Sequence, residues 1–176
     1  MKNNLFNPFE DRLSRDIRNN LSEGLAEAVE TGNSNKLNNF VAGYRQQHLP
    51  GYYLDYIDNR SALYTSAFQA IQGNITDPIN QAIVLWNLGL YFEVHEALEH
   101  VWYSAEGDMK MTLQALIRAA GVYIKLEYGF HESAARIAAK AIPVLEANRY
   151  ILDKYFKTEI LITALKDPKV LPPLLS

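Results

Sequence analysis

No cysteine occurs anywhere in the 176 residues. That excludes disulfides, thiolate metal sites and a cysteine nucleophile, and it fits a reducing compartment. No uninterrupted apolar run approaches the roughly 18 residues that a membrane-spanning helix needs. The longest candidate, Ala82 to Phe92, contains Asn87 and is quickly followed by acids. Met1-Lys2-Asn3-Asn4 is not followed by the apolar core of a signal peptide, so a cytoplasmic location is expected. A glycine-rich phosphate loop is missing, which leaves nucleotide binding without support. Excess positive charge is missing as well. The net charge is −3, and the densest basic group (Arg12, Arg15, Arg18) is interleaved with Glu10, Asp11 and Asp16. A general nucleic-acid binder usually shows a basic face. Neither a nucleic-acid nor a membrane partner is expected.

What is present is ordinary for a globular chain: 48% of residues are hydrophobic and 21% charged, enough to bury a sizeable core. Eleven tyrosines suit half-buried positions where the ring packs and the hydroxyl finds a polar partner. Residues 1–8 read as a polar arm ending at Pro8, a permitted first-turn residue for a helix. From Phe9 the apolar residues Leu13, Ile17, Leu21, Leu25 and Val29 repeat every four positions until Gly32, a C-terminal cap. Ser34 or Asn35 opens a second helix carrying Leu37, Phe40, Val41 and Tyr44, which Pro50-Gly51 ends. A third runs from about Tyr53 to Gln72. Thr76-Asp77-Pro78 opens a central helix reaching about Tyr103, Glu106-Gly107-Asp108 turns the chain, and Met109 to Tyr128 is helical again. After Gly129 a helix begins at Glu132 or Ser133 and passes Pro143, which should kink or split it. Asp167-Pro168 and Pro172-Pro173 shape a short extended tail.

No strand alternation and no internal repeat appear. The spacing predicts an all-α, single-domain bundle of roughly six to eight helices around a central apolar helix. Residues 1–75 form an N-terminal helical region, 76–166 the bundle core, and 167–176 the tail.

The central helix holds the one dense polar run, from Tyr91 to Trp102, with three acids and two histidines amid apolar residues. Such groups are costly to desolvate unless paired, hydrogen-bonded or bound to metal. On a single helical wheel Ile83, Trp86, Leu90, Val94, Leu98 and Trp102 share the apolar arc, while Glu93, Glu96 and His100 gather opposite. The plain reading of Glu93 and His100 is a solvated face. His95 and Glu99, one turn apart, lie along the border. Three readings of that pair compete: a polar network fixing the next helix through Gln114 or Arg118, a metal site, and metal-free acid–base chemistry. The network is the simplest. Zinc proteases use His-Glu-x-x-His, and here Glu99 occupies the fifth position, with His100 one residue late. A third ligand could come from Asp108, Glu127 or His131, although His131 reads as a surface helix start and His48 as a helix end.

In order, Gly89, Tyr91-Phe92-Glu93, His95-Glu96, Glu99 and Trp102, then Leu113-Gln114-Ala115-Leu116-Ile117, then the stretch from Gly129 to Leu145, resemble the small helical proteins catalogued as domain of unknown function 309. The resemblance spans about residues 80–147. It departs at Arg118, where the pattern usually has glutamine, and at Phe130-His131, where an asparagine is usual. It implies an all-helical fold and no assigned activity.

Three functions follow as expectations. The first is a binding or interaction module whose polar network comprises Glu93, His95, Glu96, Glu99, Trp102, Gln114 and Arg118. In it the Leu13–Val29 stripe, the tyrosines around Tyr53 or the leucine-rich tail could cover the bundle or engage a partner, including a second copy. The second is a metal-dependent hydrolase in which His95 and Glu99 hold a divalent metal and Glu96 is the catalytic base. The third is a cavity in the bundle that binds a small apolar ligand, lined by Trp86, Phe92 and Trp102, with the Glu–His–Trp cluster at its mouth.

Overall fold

The computed structural model describes residues 5–168 and 171–176. The expected signal-free N-terminus and the first half of the polar arm lie outside the described residues, as do Lys169 and Val170 of the tail. The fold is all-helical, with nine helices and no strand among the described residues. None of these helices is long and apolar enough to cross a membrane. The chain divides into two compact units, Met1–Asn74 and Ile75–Ser176.

The first unit holds α1 (Arg12–Thr31), α2 (Asn35–Arg45) and α3 (Gly51–Ile71), each packed against the other two. The four-residue apolar spacing becomes its core: Ile17, Leu21, Leu25 and Ala28 of α1 are buried, as are Leu37 and Val41 of α2 and Ile57 and Tyr64 of α3. Helix α1 starts at Arg12 rather than near Phe9, because Asp11 caps it. Asp11 Oδ2 accepts from the Ser14 N–H at 2.7 Å, from Ser14 Oγ at 2.7 Å and from the Tyr53 hydroxyl at 2.8 Å. Gly32 ends the helix with φ 71° and its N–H donating to Ala28, the left-handed cap that glycine adopts at no steric cost.

The Asp11 cap gives a stability prediction with a pH signature. Burial pushes its carboxyl up, but the hydrogen bonds from Ser14 and Tyr53 outweigh that and hold it below the ordinary carboxylate range. A lowered folded-state pKa stabilises the fold above the unfolded value and loses that contribution as pH falls through the folded one. Asp11→Ala is expected to cost about 1–2 kcal/mol at neutral pH. Urea midpoints should show the gap between wild type and variant closing below about pH 4. A gap unchanged between neutral and strongly acidic pH would contradict the assignment.

The second unit is built on α6 (Gly107–Glu127). It packs against α5 (Tyr91–Trp102) on one side and α7 (His131–Ala147) on the other, with α4 (Pro78–Asn87) against α5 and α9 (Thr158–Lys166) against α7. A four-residue helix, α8 (Arg149–Leu152), joins the last two. Leu113, Leu116, Ala119, Ala120, Val122 and Tyr123 are all buried on α6. Their spacing lets the small residues accept close neighbours while the large ones fill the space between helices. Asp77 caps α4 by accepting from the Asn80 N–H at 2.9 Å, with Pro78 in the first turn.

One expectation is corrected here and a second is narrowed. The central helix of 78–103 is two helices, interrupted at Leu88-Gly89-Leu90, where Gly89 adopts φ 74° and the Leu90 N–H donates to the Leu85 carbonyl. Helix α7, by contrast, runs through Pro143 without a split. The hydrogen bond that this proline forfeits lies where both Pro143 and Ala139 are exposed, so water can satisfy the released carbonyl.

Candidate metal centre

The break at Gly89 resets the helical wheel, and α5 begins afresh at Tyr91. Glu93 departs from the wheel. A continuous wheel puts it on the solvated face, yet it is only 3% exposed, in the first turn of α5. His100 is exposed, as expected.

Along the border of α5 the structure gathers His95, Glu96 and Glu99. His95 Nδ1 lies 3.2 Å from Glu96 Oε1 and 3.8 Å from Glu99 Oε2. One donor atom from each residue falls within 4.8 Å of the other two. His95 and Glu99 meet because they are one turn apart. Glu96 joins them because its long side chain crosses the roughly 100° that separates successive residues on the helix. The group is half-buried: the His95 side chain is 32% exposed, and those of Glu96 and Glu99 are 47% and 41% exposed. It is open to water rather than sealed inside the bundle.

The other expected members stand apart from this trio. Gln114 and Arg118 are half-buried on α6, and among the described residues neither hydrogen-bonds nor ion-pairs with His95 or Glu99. Trp102, one turn past Glu99, packs edge-on to Tyr103 at 5.4 Å and carries the Lys110 ammonium 4.7 Å above its ring. Its buried Nε1 has no hydrogen-bond partner among the described residues. Asp108 is committed elsewhere, accepting from the Tyr150 hydroxyl at 2.6 Å. His131 opens α7 on the surface, and His48 is exposed near the end of α2 with φ 50°.

Around a single tetrahedral metal, ligand atoms sit roughly 3.3 Å apart, given metal–ligand distances of about 2.0–2.1 Å. His95 and Glu96 already meet that spacing, and Glu99 needs a small side-chain rotation, which its exposure permits. An imidazole and two carboxylates form a borderline nitrogen–oxygen donor set that suits zinc, manganese or ferrous iron. With three protein ligands, at least one coordination position faces solvent.

The apolar recess of this unit lies elsewhere, between α4, α5 and α6, walled by Trp86, Val94, Leu98 and Leu116 among others. Its free volume is about 10 Å³, room for at most one water. Of the three aromatic residues expected around a ligand cavity, Trp86 alone lines it. Sequence reading also passed over Asn87, which clamps residue 175 across this recess. Its one visible signal was being the single polar residue inside the apolar run.

These features define a helical-bundle domain carrying a surface His-Glu-Glu group. The family model described as Domain of unknown function (DUF309) matches residues 79–137, the family that the sequence pattern resembles. The matched stretch takes in most of α4, all of α5 and α6, and the start of α7, so the trio lies within it. No curated protein matches the chain, and no solved structure does either.

Proposed function

We propose that this chain is a binding protein that takes one divalent transition-metal cation at His95, Glu96 and Glu99. The observation that carries the reading is the convergence of three donor atoms, one from each residue, within 4.8 Å on one face of α5. Two carboxylates against one imidazole place net negative charge at the site, and the surrounding exposure lets an ion enter without passing through the core. Glu96 lies within the donor set rather than beyond it. As a ligand Glu96 would not serve as the water-orienting base, which supports binding over hydrolysis.

The test is a calorimetric titration of tag-free, chelator-stripped protein with Zn²⁺ and with Mn²⁺. One saturable site is expected, with the melting temperature rising as metal is added. At a hundredfold excess over Kd the gain should be about 2.7 kcal/mol. Binding should weaken on acidification, because a protonated imidazole cannot coordinate. No saturable heat and an unmoved melting curve would leave His95, Glu96 and Glu99 as a local hydrogen-bond and ion-pair cluster and defeat the proposal.

A further inference from the structure

Residues 171–176 lie on the Ile75–Ser176 unit as an extended segment with a single anchoring side chain. Leu175 is 4% exposed, whereas Leu171 and Leu174 stand 86% and 68% exposed. Leu175 is itself one wall of the small apolar recess, packed in with Ile79, Ala82, Trp86, Val94, Leu98 and Phe156. The backbone is held as well. Asn87 Nδ2 donates to the Leu175 carbonyl at 2.9 Å, and the Leu175 N–H donates to Asn87 Oδ1 at 2.8 Å. A primary amide presents donor and acceptor side by side, so one asparagine pairs with a residue's N–H and C=O as a neighbouring strand would. Trp86 Nε1 donates to the Pro173 carbonyl at 2.8 Å, and the Lys157 N–H donates to the Ser176 carbonyl at 3.3 Å.

These contacts select an extended backbone and one leucine-sized side chain. None of them requires that the segment be joined to the chain. The wall residues other than Phe156 fall inside the stretch matched by the family model, while Leu175 falls outside it. Most of the groove's wall thus belongs to the matched stretch, while Phe156, Lys157 and the occupant do not. On leaving, the segment would expose one large side chain, because its other two leucines already face water.

We propose that the groove beside Trp86 and Asn87 is a peptide-binding site that takes an extended, leucine-bearing segment of a partner protein in exchange for its own residues 173–176. The resident segment competes from a high local concentration, so partner binding is gated by its release.

The test uses the full chain and an end-capped peptide, Pro-Pro-Leu-Leu-Ser. Because the chain has no cysteine, Ser176→Cys places one fluorophore at the segment and nowhere else. Excess peptide should release the fluorophore, read as a drop in its anisotropy, and the same peptide with aspartate for its second leucine should not. In the full-length Leu175→Asp variant, affinity for the free peptide should rise at least tenfold over the unaltered chain. Adding Asn87→Ala should abolish that gain. If Leu175→Asp does not fold, fluorophore release from the otherwise unaltered chain decides alone. No release at saturating peptide overturns the proposal. So does release that follows protein concentration rather than added peptide, since that assigns the groove to a second copy.

Discussion

Gly24→Val is expected to destabilise the Met1–Asn74 unit by about 3 kcal/mol or more, at the upper end of the overpacking range. Helices α1 and α2 approach closely at this residue. A Cβ built on Gly24 would lie 2.8 Å from Leu37 Cα and 3.1 Å from Leu37 Cβ. The nearer atom is backbone, so the clash cannot be relieved by rotating a side chain, and the two helices must move apart. Leu21, Leu25, Leu37 and Val41 would lose packing together, because dense interiors do not absorb a displaced backbone locally. Valine's better helix propensity returns only a few tenths of a kcal/mol. Gly43→Ala is the control. Gly43 lies within α2, and a Cβ there meets nothing within 4 Å, so that variant should gain about 0.5–1 kcal/mol. Denaturant midpoints of the two variants should move in opposite directions. A Gly24→Val chain within about 0.5 kcal/mol of wild type, the range of an ordinary surface change, would show that α1 and α2 do not meet there.

The two glycines look alike in sequence, which marks where reading the chain stops being sufficient. Helical periodicity reports which face of a helix is apolar, and so Ile17, Leu21, Leu25, Val94 and Leu98 were all legible as core. Gly32 was legible as a cap, and Asp77-Pro78 as a helix start, because both signals are local. Relations between helices are not written in either helix's own period. Gln114 and Arg118 share a face with the right spacing to meet Glu99, and the register of α6 against α5 leaves them unbonded to it. Glu93 shares its face of α5 with His100, which is exposed, so its burial comes from its place in the first turn of the helix, which a wheel does not record. Asn87 and Leu175 are separated by 88 positions, and no window along the chain connects them. The His95–Glu99 pair could be read because both residues lie on one helix a turn apart. Glu96 was read beside that pair as a base rather than as a third donor, since its place depends on a flexible side chain.

In a chain that binds metal at this trio, His95→Ala should lower Zn²⁺ affinity at least a hundredfold, about 2.7 kcal/mol. It removes the sole nitrogen donor, and nitrogen ligands are what favour zinc over the harder cations. His100→Ala should leave the affinity unchanged, because His100 is exposed and rotated off the site. The more discriminating variant is Glu99→His, which creates His-Glu-x-x-His on α5. Residues four apart on a helix hold their Cβ atoms about 5–6 Å apart, a span that two imidazoles can close on one zinc. Zn²⁺ affinity should then rise at least tenfold over wild type while Mn²⁺ affinity falls, since the site exchanges a hard oxygen for a second borderline nitrogen. Competition calorimetry on the three variants, each checked for an unchanged helical spectrum, gives the comparison. A site that serves only to tie side chains of α5 together predicts something else: His95→Ala lowers the melting temperature, and no variant shows a metal preference. A rise in Zn²⁺ affinity for Glu99→His beside an inert wild type would mean that the backbone of α5 can present a metal site while the native residues do not form one. That outcome would sink the proposed function and leave the geometry of the helix standing.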